Sequence, residues 1–185
     1  MQTFKLRALM LLFVIALTGC SSDSNSGELC PTLDCQNGGT FENCNCNCPD
    51  GFTGSICETE KEPIIITVNK VVVKQFPNSN PAPNIYVVLA RQTNSGFSNV
   101  YQSQSYYNSA TSPGNYPFNV TPGVAIVSTS TPHVISVRNY NSSTNTYTLV
   151  GESAFYPYES GEDFPAVKTV NVGNIIADVY LTYQW

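Results

Sequence analysis

Six cysteines fall in the stretch Cys30 to Cys57, which reads CPTLDCQNGGTFENCNCNCPDGFTGSIC. Leu33 and Ile56 are its only aliphatic side chains. A segment this short and this poor in apolar residues cannot bury enough surface to stay folded by packing alone. Covalent bridges are the physical alternative, each contributing about 3 kcal/mol in the chain-entropy account. Cysteine positions by themselves leave the pairing open. The competing use of clustered cysteines is zinc, but Cys44, Cys46 and Cys48 stand at alternate positions, unlike the spacing of common structural zinc ligands. Bridges persist only in an oxidising compartment, so the run also sets an expectation for where the chain resides.

Two pieces of the run carry a family resemblance: Cys35-Gln36-Asn37-Gly38-Gly39-Thr40, and Cys46-Asn47-Cys48-Pro49-Asp50-Gly51-Phe52-Thr53-Gly54-Ser55-Ile56-Cys57. Residues 30–57 resemble an epidermal-growth-factor-like (EGF-like) module. That family usually has its third cysteine directly after the NGGT run, where this chain has Phe41, and Cys44 is the cysteine available instead. The resemblance implies the pairs Cys30–Cys44, Cys35–Cys46 and Cys48–Cys57.

The start of the chain agrees with an oxidising address. Lys5 and Arg7 precede an apolar stretch from Ala8 to Leu17 that is too short to span a bilayer and has the length of a signal-peptide core. It ends Leu17-Thr18-Gly19-Cys20, which resembles a bacterial lipobox. The resemblance implies removal of residues 1–19 and lipidation of Cys20, the seventh cysteine left over from the run. Several acyl chains on one residue hold a protein stably on a membrane. An ordinary signal peptide or a membrane anchor with an incidental cysteine is the competing reading. Residues 20–29 are polar and Ser-rich, as in a flexible tether. Ser21, rather than Asp, follows Cys20, and by resemblance to Gram-negative lipoproteins this favours the outer membrane, with the cell surface as the expected face. After Cys57, residues 58–63 (ETEKEP) read as a charged linker. Eight acidic residues and one lysine lie between Cys20 and Glu62, against five of each sign afterwards. No Lys/Arg cluster suggests a nucleic-acid partner.

Residues 64–185 are long enough for one core and have a β composition, with Val, Ile, Thr and Tyr runs punctuated by Asn, Ser, Gly and Pro. No window shows a helical apolar period. Strands are predicted near Ile64–Lys74, Asn84–Arg91, Asn99–Gln104, Tyr116–Val120, Val124–Ser128, His133–Asn139, Leu149–Phe155, Val167–Val172 and Ile175–Gln184. Thr121-Pro122-Gly123 is among the turns. The fold class expected is all-β: a small disulfide module followed by an antiparallel sandwich of about eight strands.

Phe76-Pro77, Asn84-Ile85-Tyr86-Val87, Pro117-Phe118, Ile135 to Asn141 and Val150-Gly151-Glu152 follow one another in an order that resembles the C-two-type sandwich, the calcium- and phospholipid-binding domain named from protein kinase C. An immunoglobulin-like sandwich is the competing assignment. In calcium-binding C-two relatives, Asp side chains of two loops converge at one end. Here the matching positions are the amides Asn84, Asn139 and Asn141, with Asn145 aligned more loosely. Calcium prefers several oxygens including carboxylates, and amides bring no charge. The expectation is a calcium-independent relative without a cofactor, with Asn84, Asn139 and Asn141 as weak calcium candidates.

Catalytic patterns are sparse. His133 is the only histidine, and no GxSxG, P-loop or HExxH occurs. Glu152, Glu159, Glu162 and Asp163 offer carboxylates, but three of them share the segment YESGEDF, which reads as a solvated loop. No catalytic residue is assigned. All eleven tyrosines lie after residue 63. Tyr86, Tyr101, Tyr180 and Tyr183 read as strand residues packing on a sheet. Tyr106, Tyr107, Tyr140, Tyr147, Tyr156 and Tyr158 lie in or near loops, where Tyr beside Asn and Ser makes an adaptable recognition surface. The candidate binding loops, at the positions implied by the C-two resemblance together with the neighbouring tyrosine, are Asn84, Asn139, Tyr140, Asn141 and Asn145. The functional expectation is a lipid-anchored, non-catalytic binding or adhesion protein with a protein or glycan ligand at the cell surface. The competing readings are a calcium-dependent membrane- or glycan-binding domain and an accessory part of a polysaccharide-handling complex.

Overall fold

The computed structural model describes residues 30–127 and 129–185 and holds no helix among them. The tether, Cys20 and the signal-like segment lie outside the described residues. Three disulfides, Cys30–Cys44, Cys35–Cys46 and Cys48–Cys57, cross-link the N-terminal module. Strand β1 (Thr40–Glu42) pairs with β2 (Asn45–Asn47). Asn43 and Cys44 form the two-residue connection, both at positive φ (49° and 67°). That geometry matches the right-handed twist of a hairpin and suits Asn well. Cys44 thus reaches its partner from a hairpin tip, three residues beyond Phe41.

The module does not end at Cys57. Strand β3 (Phe52–Thr53) pairs with β4 (Thr59–Glu60), and the Lys61 N–H donates to the Gly51 carbonyl at 2.7 Å. Residues 58–63 are therefore not the free charged linker expected from composition. Backbone hydrogen bonds decide the segment's conformation, and these are independent of side-chain charge.

Nine strands build the sandwich: β5 (Ile65–Gln75), β6 (Ile85–Thr93), β7 (Gly96–Gln102), β8 (Tyr116–Ile126), β9 (His133–Asn141), β10 (Thr146–Phe155), β11 (Val167–Val170), β12 (Val172–Gly173) and β13 (Ile176–Gln184). One sheet has the order β12-β10-β9-β6-β7 and the other β11-β13-β5-β8, with all pairs antiparallel. In an immunoglobulin-like sandwich the first two strands are neighbours in one sheet. Here β5 and β6 belong to different sheets, so that alternative does not describe this topology.

β7 and β10 each begin three residues earlier than predicted, and two further boundaries change in kind. The expected turn at Thr121-Pro122-Gly123 lies inside β8. Lys70 pairs with Asn119 and Val68 with Val124, so residues 120–123 bulge opposite Asn69. Proline is tolerated at such an irregularity because no ladder donor is required there. The expected strand Val167–Val172 is divided at Asn171: its first part pairs with β13 and its last with β10 in the opposite sheet.

The core fills the space between the sheets, with Val71, Val73, Ile85, Val87, Leu89, Phe118, Ile135, Val137, Val179 and Leu181 among its members. These positions alternate along their strands, as period-two side-chain direction requires. β6 departs from alternation because Tyr86, Val88 and Ala90 on its outer face are buried as well. A central strand covered on both faces reads as the continuous apolar run Ile85–Ala90.

Loop 156–165 lies against the disulfide module through Phe164, while Glu159, Ser160, Gly161 and Asp163 stay exposed as composition suggests. The Phe164 ring meets Phe52 of the module at 5.5 Å, and also Tyr158 at 6.0 Å, Tyr183 at 5.6 Å and Trp185 at 4.4 Å. A Cβ on Gly51 would stand 2.4 Å from that ring. Glu60 accepts the Gly161 N–H at 2.7 Å, and the Thr129 hydroxyl donates to Glu62. Asp163 and Phe164 both hold φ at 49°, a region that costs a residue with a side chain about 1 kcal/mol or more. Aromatic contact and the Glu60 bond oppose that cost. Burial pushes the Tyr183 hydroxyl up to about 12, helped by the charge of Glu162, and this hydroxyl donates to the Pro165 carbonyl at 2.9 Å.

Candidate functional site

Asn84, immediately before β6, organises one end of the sandwich. Its backbone N–H donates to Asn139 Oδ1 at 2.8 Å, and its carbonyl accepts the Tyr140 N–H at 2.9 Å. Its Nδ2 donates to the Tyr140 carbonyl at 3.3 Å, while its Oδ1 accepts the Ser109 N–H at 3.0 Å. One amide thereby ties the start of β6 to the end of β9 and to the segment after β7. An Asn side chain offers both donors and an acceptor, which is why it can bind two backbone segments at once.

That hub sets the register of an aromatic cluster on the outer face of the five-stranded sheet. Tyr86 pairs in register with Arg138, Tyr140 with Tyr147, and Arg138 with Leu149. These side chains therefore share one face. Tyr106 joins from the segment after β7, and its neighbour Tyr107 turns the opposite way, against Phe118. The four tyrosines close a ring: Tyr86–Tyr106 5.5 Å, Tyr106–Tyr140 5.1 Å, Tyr140–Tyr147 5.0 Å and Tyr147–Tyr86 5.5 Å between centroids. Tyr86 meets its two neighbours edge to face, whereas Tyr106, Tyr140 and Tyr147 lean face to face, at 32° and 28°. Both are favourable arrangements for rings with a quadrupole.

Tyr86 is 1% exposed and forms the floor, while Tyr147 is 49% exposed and carries the open ring surface. Burial raises the Tyr86 hydroxyl above its ordinary value, against the opposing charge of Arg138. Tyr106 is raised too, first by desolvation and then by Tyr147 and Tyr140. Raised in this way, the Tyr86 and Tyr106 hydroxyls remain neutral at physiological pH. Arg138 makes no ion pair within 4.0 Å among the described residues.

The structure brings Asn84, Asn139 and Tyr140 together and places Asn141 at the end of β9 and Asn145 in the adjoining β9–β10 turn. Their amide oxygens serve the fold. Asn141 Oδ1 accepts from Ser143 N at 3.0 Å and Thr144 N at 3.3 Å, and Asn145 Oδ1 accepts from the Tyr140 hydroxyl at 3.4 Å. Asn139 Oδ1 and Asn84 Oδ1 accept the N–H groups named above. Among the described residues, no group of three or more His, Cys, Asp or Glu is placed to hold a metal.

The other residues singled out in the sequence lie elsewhere. Glu159 and Glu162 flank Lys168, each at 2.6 Å, beside a cleft of about 350 Å³ that is also lined by Phe155 and Tyr156. The Lys168 hydrogen bond holds the Glu159 carboxyl below its ordinary value, opposite to the rise that makes a general acid. His133 is buried, with Nδ1 2.8 Å from the Thr131 carbonyl, at the wall of a second cleft of about 320 Å³.

Sequence reasoning placed Tyr140 in the candidate loops but missed Tyr86 and Arg138. Alternation carried the signal: if Ile85, Val87 and Leu89 face the core, Tyr86 faces outward. Only strand register shows that Arg138 stands beside it. Of the loop tyrosines, Tyr107 packs inward and Tyr158 stacks on Phe164. No protein-family model matches the chain.

Proposed function

We propose that this protein is a lipid-anchored, non-catalytic recognition protein of the bacterial cell envelope. In this reading Cys20 carries the anchor, the EGF-like module acts as a rigid collar, and the C-two-like sandwich presents the binding surface. The observation that carries it is the ring of four tyrosines with Arg138 beside it, held in place by the Asn84 hub. Aromatic rings and amides fixed on strands form a preorganised surface that loses little entropy on binding. The aromatic junction around Phe164 supports the collar role, because it ties the disulfide module to the sandwich.

Two measurements test the proposal. Metabolic labelling with a clickable fatty acid should mark the chain when expressed in a Gram-negative host, and Cys20→Ala should lose both the label and membrane association. A glycan and envelope-protein array probed with the chain from Cys30 onward should yield ligands whose binding drops on Tyr147→Ala. Ligands indifferent to Tyr147→Ala and to Tyr106→Ala would remove the tyrosine surface from the proposal.

A further inference from the structure

The sandwich has five cations, and four differ from Arg138 in place or partner. Lys168 is bound by Glu159 and Glu162, Lys74 lies 3.5 Å from Asp178, and Lys70 sits 3.8 Å over the Tyr180 ring. Arg91 also lacks a carboxylate within 4.0 Å among the described residues, but it lines the cleft by His133, away from the tyrosines. Arg138 is the cation of the sandwich that stands beside the tyrosine cluster, in register with Tyr86, and it has no carboxylate within 4.0 Å among the described residues. Glu152, whose register partner Ser136 is two residues from Arg138, makes no ion pair with it.

The surroundings define what such a guanidinium can take. Tyr147 offers an open ring face, and Leu149, 58% exposed, lies directly across from Arg138. Exposed Thr144, Thr146 and Asn145 line the adjoining turn with hydroxyls and an amide. Neither cleft described above includes a residue of the tyrosine ring. Peptide recognition rests mainly on side-chain anchors filling desolvated pockets. A pyranose has different needs: its C–H face stacks on an aromatic ring, and its hydroxyls bond to amides and hydroxyls. A planar guanidinium forks two N–H donors onto a carboxylate.

We infer that Tyr106, Tyr140, Tyr147 and Arg138 form a binding site for an acidic sugar, a uronate unit of a polysaccharide chain. The sugar ring stacks on Tyr147, and its carboxylate is received by Arg138. This inference deepens the recognition role proposed above and rests on it.

Calorimetric titration of the purified chain from Cys30 onward tests it with three probes: a hexauronate, a neutral hexaglucoside and hexaglutamate. The hexauronate is expected to bind at least about tenfold more tightly than the neutral sugar, the scale of one charge-assisted contact. Arg138→Gln should abolish that preference. Tyr147→Ala should weaken both sugars, and Arg91→Gln should change neither. Melting curves establish that each variant is folded. Absence of hexauronate binding, equal binding of acidic and neutral sugars, or hexauronate preference retained in Arg138→Gln each overturns the inference. Tighter binding of hexaglutamate than of hexauronate overturns it in favour of an acidic peptide. Array ligands of another class that still depend on Tyr147 would leave the recognition role standing while this inference falls.

Discussion

Replacing Phe164 by Ala should uncouple the disulfide module from the sandwich. The ring touches four aromatic side chains at centroid distances from 4.4 to 6.0 Å, one of them in the module. Truncating a fully buried Phe costs about 3–5 kcal/mol, and aromatic pairs add about 0.5–1.5 kcal/mol each beyond buried area. Phe164 is only partly buried, so about 2 kcal/mol is expected, or a fall in melting temperature of about 4–8 °C for a chain of this size. Trp185 is the only tryptophan and packs at 4.4 Å on this ring, so its fluorescence reports on the junction directly. Its emission should shift to the red in Phe164→Ala, and proteolysis should open between Glu58 and Pro63. The control is Phe97→Ala, at an exposed position of β7, which should leave both readouts unchanged. Unchanged Trp185 emission, together with a melting temperature lowered no more than by the control, would refute the argument that this ring couples the two parts.

Asn84→Ala removes the Nδ2 bond to the Tyr140 carbonyl and the Oδ1 bond from Ser109. At about 1 kcal/mol each, the loss should be about 2 kcal/mol in denaturant titration, with a weakened near-ultraviolet dichroism of the tyrosine ring. His133 is held below its ordinary value chiefly by burial, with the Thr131 carbonyl opposing and Arg91 assisting. The folded state therefore binds fewer protons than the unfolded one. Its contribution is complete above the unfolded value of about 6.5 and is lost as pH falls through the lower folded value, so His133→Gln should flatten the melting-temperature profile between about pH 7 and about pH 5. Replacing Cys48 and Cys57 together by Ser opens a loop of sequence separation 9, worth about 3 kcal/mol. The β3–β4 pairing should fray, read as faster amide exchange at Thr59 and Lys61.

Parts of this protein were legible in its residues because they depend on local chemistry. A cysteine-dense, core-poor segment must be cross-linked, and β-branched runs broken by Gly, Pro and Asn must form strands. Element boundaries were less legible where tertiary pairing decides them. β8 continues through Pro122 because β5 accommodates a bulge opposite Asn69, and residues 167–173 change sheet at Asn171. Charge composition described the side chains of residues 58–63 and 159–164, since Glu58, Glu62, Glu159 and Asp163 are exposed, but not that backbone bonds and the Phe164 ring tie both segments down.

The candidate site divides the same way. Composition indicated that Tyr and Asn matter at loops, and the C-two resemblance pointed to Asn84, Asn139 and Asn141 as candidate loop positions. Residues far apart in sequence, Tyr86, Tyr106, Arg138 and Tyr147, become one surface only through antiparallel register, which carries alternate side chains of neighbouring strands to the same face. From sequence alone came the need for covalent bridges, the all-β class and the residue types available for recognition. Tertiary structure alone decided which tyrosines share a face, that Arg138 stands beside them without a carboxylate, and that the amides hold the backbone in place, because each of these is a relation between strands.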